Sequence, residues 1–205
     1  MIDLSFPLTA TSDVPADHGY ALYSAVSRAL PSMHEQNGIG IHPIRGRFVG
    51  DRHMQICEFS RLTIRVGAER IPDLLPLAGK QLSIAGRTIH VGVPQIYGLE
   101  SATALRSRLV TIKVSGDRNE PRPPDEATFL AAARRQLDAL NVSPEAQVTV
   151  GKRRTLRVKD KEVVGYEVLV SALSASESVD LQSTGLGGRR HMGCGIFVPL
   201  RPRMP

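Results

Sequence analysis

The sequence predicts an α+β chain in which a β-α-β-β-α-β order of elements occurs twice. Three observations carry this. Short alternating apolar runs outnumber helical ones, two amphipathic helices follow early strands at matching places, and a short helix precedes the last strand of each half. At 205 residues the chain has room for one large domain or two small ones.

In the first half, Ile2–Leu8 reads as a strand. Asp17 is placed to cap a helix whose apolar positions Leu22, Val26, Ala29, Leu30 and Met33 keep the helical period. Pro31 is expected to end it near Leu30. After Asn37-Gly38 come two extended runs, Ile39–Phe48 and Ile56–Val66. A short helix is expected around Ile71–Leu77, then strands across Gln81–Ile96 with a turn at Gly86-Arg87.

The second half repeats the order without repeating the residues. Leu109–Ser115 reads as a strand, and a Pro-rich loop at Glu120–Pro124 leads to a helix capped by Asp125. That helix is expected to bury Leu130, Ala133, Leu137 and Leu140. Gln147–Val158 and Glu162–Ala172 form a hairpin in which Tyr166, Val168 and Val170 alternate with Glu167 and Leu169. A short helix at Ser176–Gln182, a glycine-rich loop and a strand at Gly195–Leu200 complete the set. Two tandem ferredoxin-like modules, residues 1–100 and 106–205, account for the whole order. That fold hosts many functions, so it decides none by itself.

Composition narrows the field. Hydrophobic residues make up 41% and charged residues 22%, as in ordinary globular proteins. Net charge is +6 with a pI near 9.7, which favours polyanionic partners. The basic charge is concentrated: residues 151–161 carry six basic side chains against one acid, and nothing after Asp180 is acidic. Aromatic content is only 4%, so a nucleic-acid partner would be held mainly through phosphates and shape. Cys57 and Cys194 are too few for a disulfide framework or a cysteine zinc site. No stretch has the length of a membrane span and the N-terminus has no signal pattern, so a cytoplasmic location is expected. Histidines and carboxylates do not cluster at metal-ligand spacing, and no metal or cofactor is expected.

The densest motif is Gly185-Leu-Gly-Gly-Arg-Arg-His-Met-Gly-Cys-Gly195. It fits neither a P-loop nor G-x-G-x-x-G, because Arg190 stands where the last glycine would be. Its glycines, with Arg189, Arg190 and His191, read as a phosphate cradle beside a strand. A flexible terminal loop is the plainer alternative.

Together with the segment Leu30–Pro43, in which His34 follows the first helix and precedes a glycine and a strand, this loop resembles the CRISPR-associated RAMP proteins. The resemblance is to those that cut repeat RNA into guides. It implies a metal-independent endoribonuclease that cleaves pre-crRNA at the 3′ base of the repeat stem by 2′-hydroxyl attack. The rival it allows is a non-catalytic crRNA-binding subunit of a CRISPR effector complex, and other subunits of such a complex are possible partners in either case.

Such chemistry needs a base and a proton donor, roles histidine fills near neutral pH. His34 stands first among six histidines, past the Pro31 break, and His18 at the helix start competes with it. Sixteen helical residues would separate the two by roughly 24 Å, so they cannot easily act together. Tyr23 could orient the ribose or donate a proton. RNA-binding candidates are Lys152, Arg153, Arg154 and Arg157 on the hairpin, Gly187, Gly188, Arg189, Arg190 and His191 on the loop, and Arg106 and Arg108 near the join. His42 and His90 read as sheet residues, and His53, beside Arg52, as a possible RNA contact.

Overall fold

A computed structural model describes residues 1–35, 38–113 and 125–200. The strands are β1 (Ile2–Thr9), β2 (Val14–Pro15), β3 (Gly40–Ile41), β4 (Arg47–Gly50), β5 (His53–Gln55), β6 (Arg61–Val66), β7 (Gln81–Ile84), β8 (Arg87–Val91), β9 (Gln95–Gly98), β10 (Ala104–Val110), β11 (Gln147–Val158), β12 (Lys161–Ser171) and β13 (Val198–Pro199). The α-helices are α1 (Gly19–Ala29), α2 (Ile71–Leu74), α3 (Glu126–Ala139) and α4 (Ala175–Thr184). By contacts the chain divides into two units. The first holds Met1–Gly98 with Arg157–Asp160 and His191–Gly193; the second holds Leu99–Leu156, Lys161–Arg190 and Cys194 onward.

In the first unit the main sheet runs β3-β6-β1-β8-β7. β1 pairs antiparallel with β6 from Ile2↔Val66 to Pro7↔Arg61. The other edge of β1 is shared: β9 takes Ile2–Ser5 and β8 takes Leu8 and Thr9. One fourth-strand position is thus filled by two strands. Leu4, Phe6, Leu62 and Ile64 face a core with Leu22 and Val26 of α1. The turn between β7 and β8 is Ala85-Gly86, both with positive φ, one residue earlier than the sequence suggested. The expected run Ile39–Phe48 breaks into β3 and β4. A three-stranded sheet, β2-β5-β4, is inserted there.

The second unit is the plainer one. Its sheet runs β11-β12-β10-β13, the antiparallel order of a ferredoxin-like module. Tyr166, Val168 and Val170 point into the core, as their alternation predicts. Asp125 caps α3 by accepting from the Thr128 N–H at 2.8 Å. The register of α3 is turned from the expected one: Phe129, Ala132, Ala133 and Leu137 are buried while Leu130 is exposed. α4 opens with a capping box between Ser174 and Glu177. The expected strand Leu109–Ser115 instead occupies 104–110; Ser115 and the loop Glu120–Pro124 lie outside the described residues. Among the described residues no helix is long and apolar enough to cross a membrane.

Candidate functional site

α1 begins differently from the sequence expectation. Asp17 does not cap it; its carboxylate accepts from the Arg157 N–H at 2.9 Å instead. His18 takes the N-cap position without capping by its side chain. The His18 ring is buried between two backbones: Nε2 accepts from the Ile44 N–H and Nδ1 lies 3.0 Å from the Pro15 carbonyl. An acceptor at Nε2 leaves the proton on Nδ1, so the ring is neutral and both nitrogens are engaged. This histidine holds the entry of α1 against the segment that follows β3.

After Leu30 the chain tightens into a 3-10 turn, Pro31–Glu35, with Met33 buried beneath it. His34 belongs to this turn, and its side chain lies outside the described residues. Tyr23, half-buried on α1, packs its ring against His191 at 4.4 Å between centroids, tilted by 53°. Both belong to the first unit.

That loop is built more tightly than a phosphate cradle. Leu186 N donates to Gly195 O, Gly187 N to Gln136 Oε1 at 2.7 Å, and Gly188 N to Thr111 O at 2.9 Å. Cys194 N donates to Arg189 O and Gly195 N to Leu109 O. Five backbone donors are spent inside the protein, and the cradle expected from the glycine spacing does not form from them. Glycine is required for another reason. A side chain at Gly187 would strike the Thr111 carbonyl, and one at Gly195 the Leu186 carbonyl, both at positive φ. The strand expected at Gly195–Leu200 shrinks accordingly to Val198–Pro199. What the loop presents outward is Arg189, exposed at a φ of 61°, beside the open position of Gly188.

The basic residues of the second unit fall into two kinds. Arg106 and Arg154 both reach Glu167, at 2.6 and 3.3 Å. Burial would raise the Glu167 carboxyl, but hydrogen bonds from these two arginines hold it below its usual range. Lys152, Arg153 and Arg108 are exposed, as is Arg157, which belongs to the first unit. Arg190 is half-buried within the loop, its side chain packed close to Gly185.

Elsewhere, sequence reading missed a buried polar cluster in the first unit. Arg65, 1% exposed, grips Asp3 through two hydrogen bonds of 2.7 and 2.8 Å, and His42 stands 3.4 Å from the same carboxylate. Burial would raise Asp3, but Arg65 and His42 hold it far below the usual carboxylate range. Burial lowers His42, outweighing the pull of Asp3. Asp3 and Arg65 keep the polar positions of two alternating strands, so nothing in the sequence marks them as a buried pair. Among the described residues no three of His, Cys, Asp and Glu stand close enough to share a metal ion.

Each unit carries an antiparallel sheet of ferredoxin-like order, and a glycine-laced loop precedes the last strand. A RAMP protein binding different RNA substrates superposes with a TM-score of 0.74 at 14% identity, covering 98% of this chain and all of that one. A Cas6-related protein from Pyrococcus furiosus gives 0.70 at 17% identity, with 96% and 97% covered. These two likenesses speak to the fold. The family model for Cas6 of CRISPR systems matches residues 2–202. The CRISPR-associated endonuclease Cas6 of Myxococcus xanthus (strain DK1622) is 41% identical over 198 residues, 97% of this chain and 81% of that protein. The chain belongs to the Cas6 family.

Proposed function

We propose that this chain is an endoribonuclease that binds CRISPR repeat RNA and cuts pre-crRNA at the 3′ base of the repeat stem without a metal ion. The observation that carries the reading is its 41% identity to a Cas6 endonuclease across nearly its whole length. The contact between His191 and Tyr23 supports it, because it sets a histidine against the helix that precedes His34.

In this reading the 2′-oxygen before the cut attacks the neighbouring phosphorus and the P–O5′ bond breaks. The products are a 2′,3′-cyclic phosphate and a 5′-hydroxyl. His34 takes the proton from the 2′-hydroxyl, and the departing O5′ must receive one. Tyr23 is within the same body to orient the ribose. His18 is a positioning residue here, since a ring with both nitrogens committed has none left for a substrate proton. Lys152, Arg153, Arg157 and Arg189 hold phosphates, with Arg106, Arg108, Arg154 and Arg190 adding to the basic field, and Gly187, Gly188 and His191 shape the loop against RNA.

The test is incubation with repeat RNA in EDTA. One cut at the stem base is expected, lost with a 2′-deoxy nucleotide at that position and lost in His34→Ala while hairpin binding survives. Intact RNA bound by the unmodified protein would move it to the non-catalytic crRNA-binding class. Cleavage that vanishes with chelation would remove the metal-free mechanism.

A further inference from the structure

The inserted sheet β2-β5-β4 offers a surface that the cleavage reading leaves unused. The chain has five phenylalanines. Phe6, Phe129 and Phe197 are fully buried, whereas Phe48 and Phe59 are 67% and 51% exposed. Both exposed rings belong to this insertion. Phe48 lies on β4, the outer strand of the sheet, and Val49 beside it is also exposed at a break in register.

Phe59 sits on a tight turn, closed by Ser60 N to Cys57 O at 2.8 Å and by Cys57 N to Ser60 Oγ at 3.0 Å. Ser60 Oγ then donates to the Arg45 carbonyl at 2.6 Å, and Arg61 donates to the carbonyls of Glu58 and Ser60. These bonds tie the turn that carries Phe59 to the strand segment that carries Phe48. Met54, the register partner of both Phe48 and Val14, is buried in the core and anchors the middle strand of this sheet. The rings are therefore held on a fixed support, which lowers the entropy lost when something stacks on them.

Charge identifies the occupant. Arg45, Arg47 and Arg52 are exposed on the same element, and among the described residues their guanidinium groups make no hydrogen bond or ion pair. An apolar protein partner would have to strip water from three guanidinium groups. A single-stranded nucleic acid suits both features. Its bases stack on aromatic faces and its phosphates take arginine forks. A paired stem hides its base faces, so the fit is to an unpaired segment.

We propose that the β4–β5 hairpin and the 57–60 turn form a separate binding element for single-stranded RNA. Phe48 and Phe59 stack its bases while Arg45, Arg47 and Arg52 hold its phosphates. The choice of RNA rests on the repeat-processing reading above, and the natural occupant is the unpaired flank of the repeat. The local concentration of aromatics reverses what the low overall aromatic content implies.

The experiment measures binding of the full chain to a short labelled oligouridylate and, separately, cleavage of a repeat hairpin stripped of its flanks. Phe48→Ala with Phe59→Ala is expected to weaken oligouridylate binding by about tenfold per ring while leaving cleavage of the bare hairpin unchanged. Changing Arg45, Arg47 and Arg52 to Gln is expected to lower the salt slope of oligouridylate binding by roughly 0.7 for each phosphate contact removed. Both sets lie on the surface, and an unchanged melting temperature is expected to confirm folding. Oligouridylate affinity that ignores both sets of changes overturns the proposal. If, in addition, the unmodified protein self-associates and Phe48→Ala abolishes this, a second copy of the chain takes RNA's place on the surface. Absence of hairpin cleavage with phenylalanine-dependent oligouridylate binding would overturn the nuclease reading and leave this one standing.

Discussion

The two units share one order of elements but are specified in different ways. The second has long helices with their own side-chain caps, Asp125 for α3 and the Ser174–Glu177 box for α4. The first has no such caps: α1 starts at His18 without a side-chain cap, and α2 is a four-residue segment set among 3-10 turns. It is held instead by polar links to residues distant in sequence, His18 to Ile44 and Arg65 to Asp3. Local signals carry the second unit, whereas tertiary contacts carry the first. A unit of the second kind is readable from neighbours in sequence; a unit of the first kind is not.

The largest blow to this contrast should come from Arg65→Met. It leaves Asp3 buried without its main partner and should cost about 3–5 kcal/mol, read from urea denaturation. If stability barely moves, the first unit does not depend on that link. Next comes His18→Ala, which orphans the Ile44 N–H and the Pro15 carbonyl and should cost about 2–4 kcal/mol. A variant that kept full stability but lost cleavage would return His18 to the catalytic role.

The pH dependence sharpens the same point. Burial keeps His42 below the ordinary histidine value of 6.5, so the unfolded chain takes up that proton first as pH falls. Its contribution is whole above that value and declines below it, by at most about 1.4 kcal/mol per pH unit. Asp3, held low in the fold, adds stability above its ordinary 3.8 that goes as pH falls through its folded value. The denaturation midpoint of the unmodified protein should therefore drop between about pH 6.5 and pH 5, and His42→Gln should flatten that drop. Equal slopes would show that His42 titrates freely in the fold. The smallest effect is Ser174→Ala, expected to cost about 1 kcal/mol through loss of the capping box, measured as a lower melting temperature.

These contrasts explain what could be read in advance. Asp125 announces α3 because a cap and its helix are neighbours in the chain. The β11–β12 hairpin was legible because Tyr166, Val168 and Val170 keep a strict period of two. Asp17 misled, because a carboxylate before a helix can serve a distant N–H, here that of Arg157, as well as the near one. The glycine loop misled in a similar way. Its spacing shows where side chains are forbidden but not whether a ligand or the Thr111 and Leu186 carbonyls forbid them. The inserted sheet was hidden because its strands are two to four residues long, too short for any period to show.

Glu167 gives the second unit's sheet a built-in competitor. An anion arriving at Arg106 or Arg154 meets two cations already shared by one carboxylate, so docking there is an exchange of one acid for another. A ligand bearing one diffuse charge gains little from such a swap. A polymer presenting phosphates in series would gain more from the exchange than a single charge would. Selectivity of this sort comes from an acidic residue, which a search for positive charge would pass over.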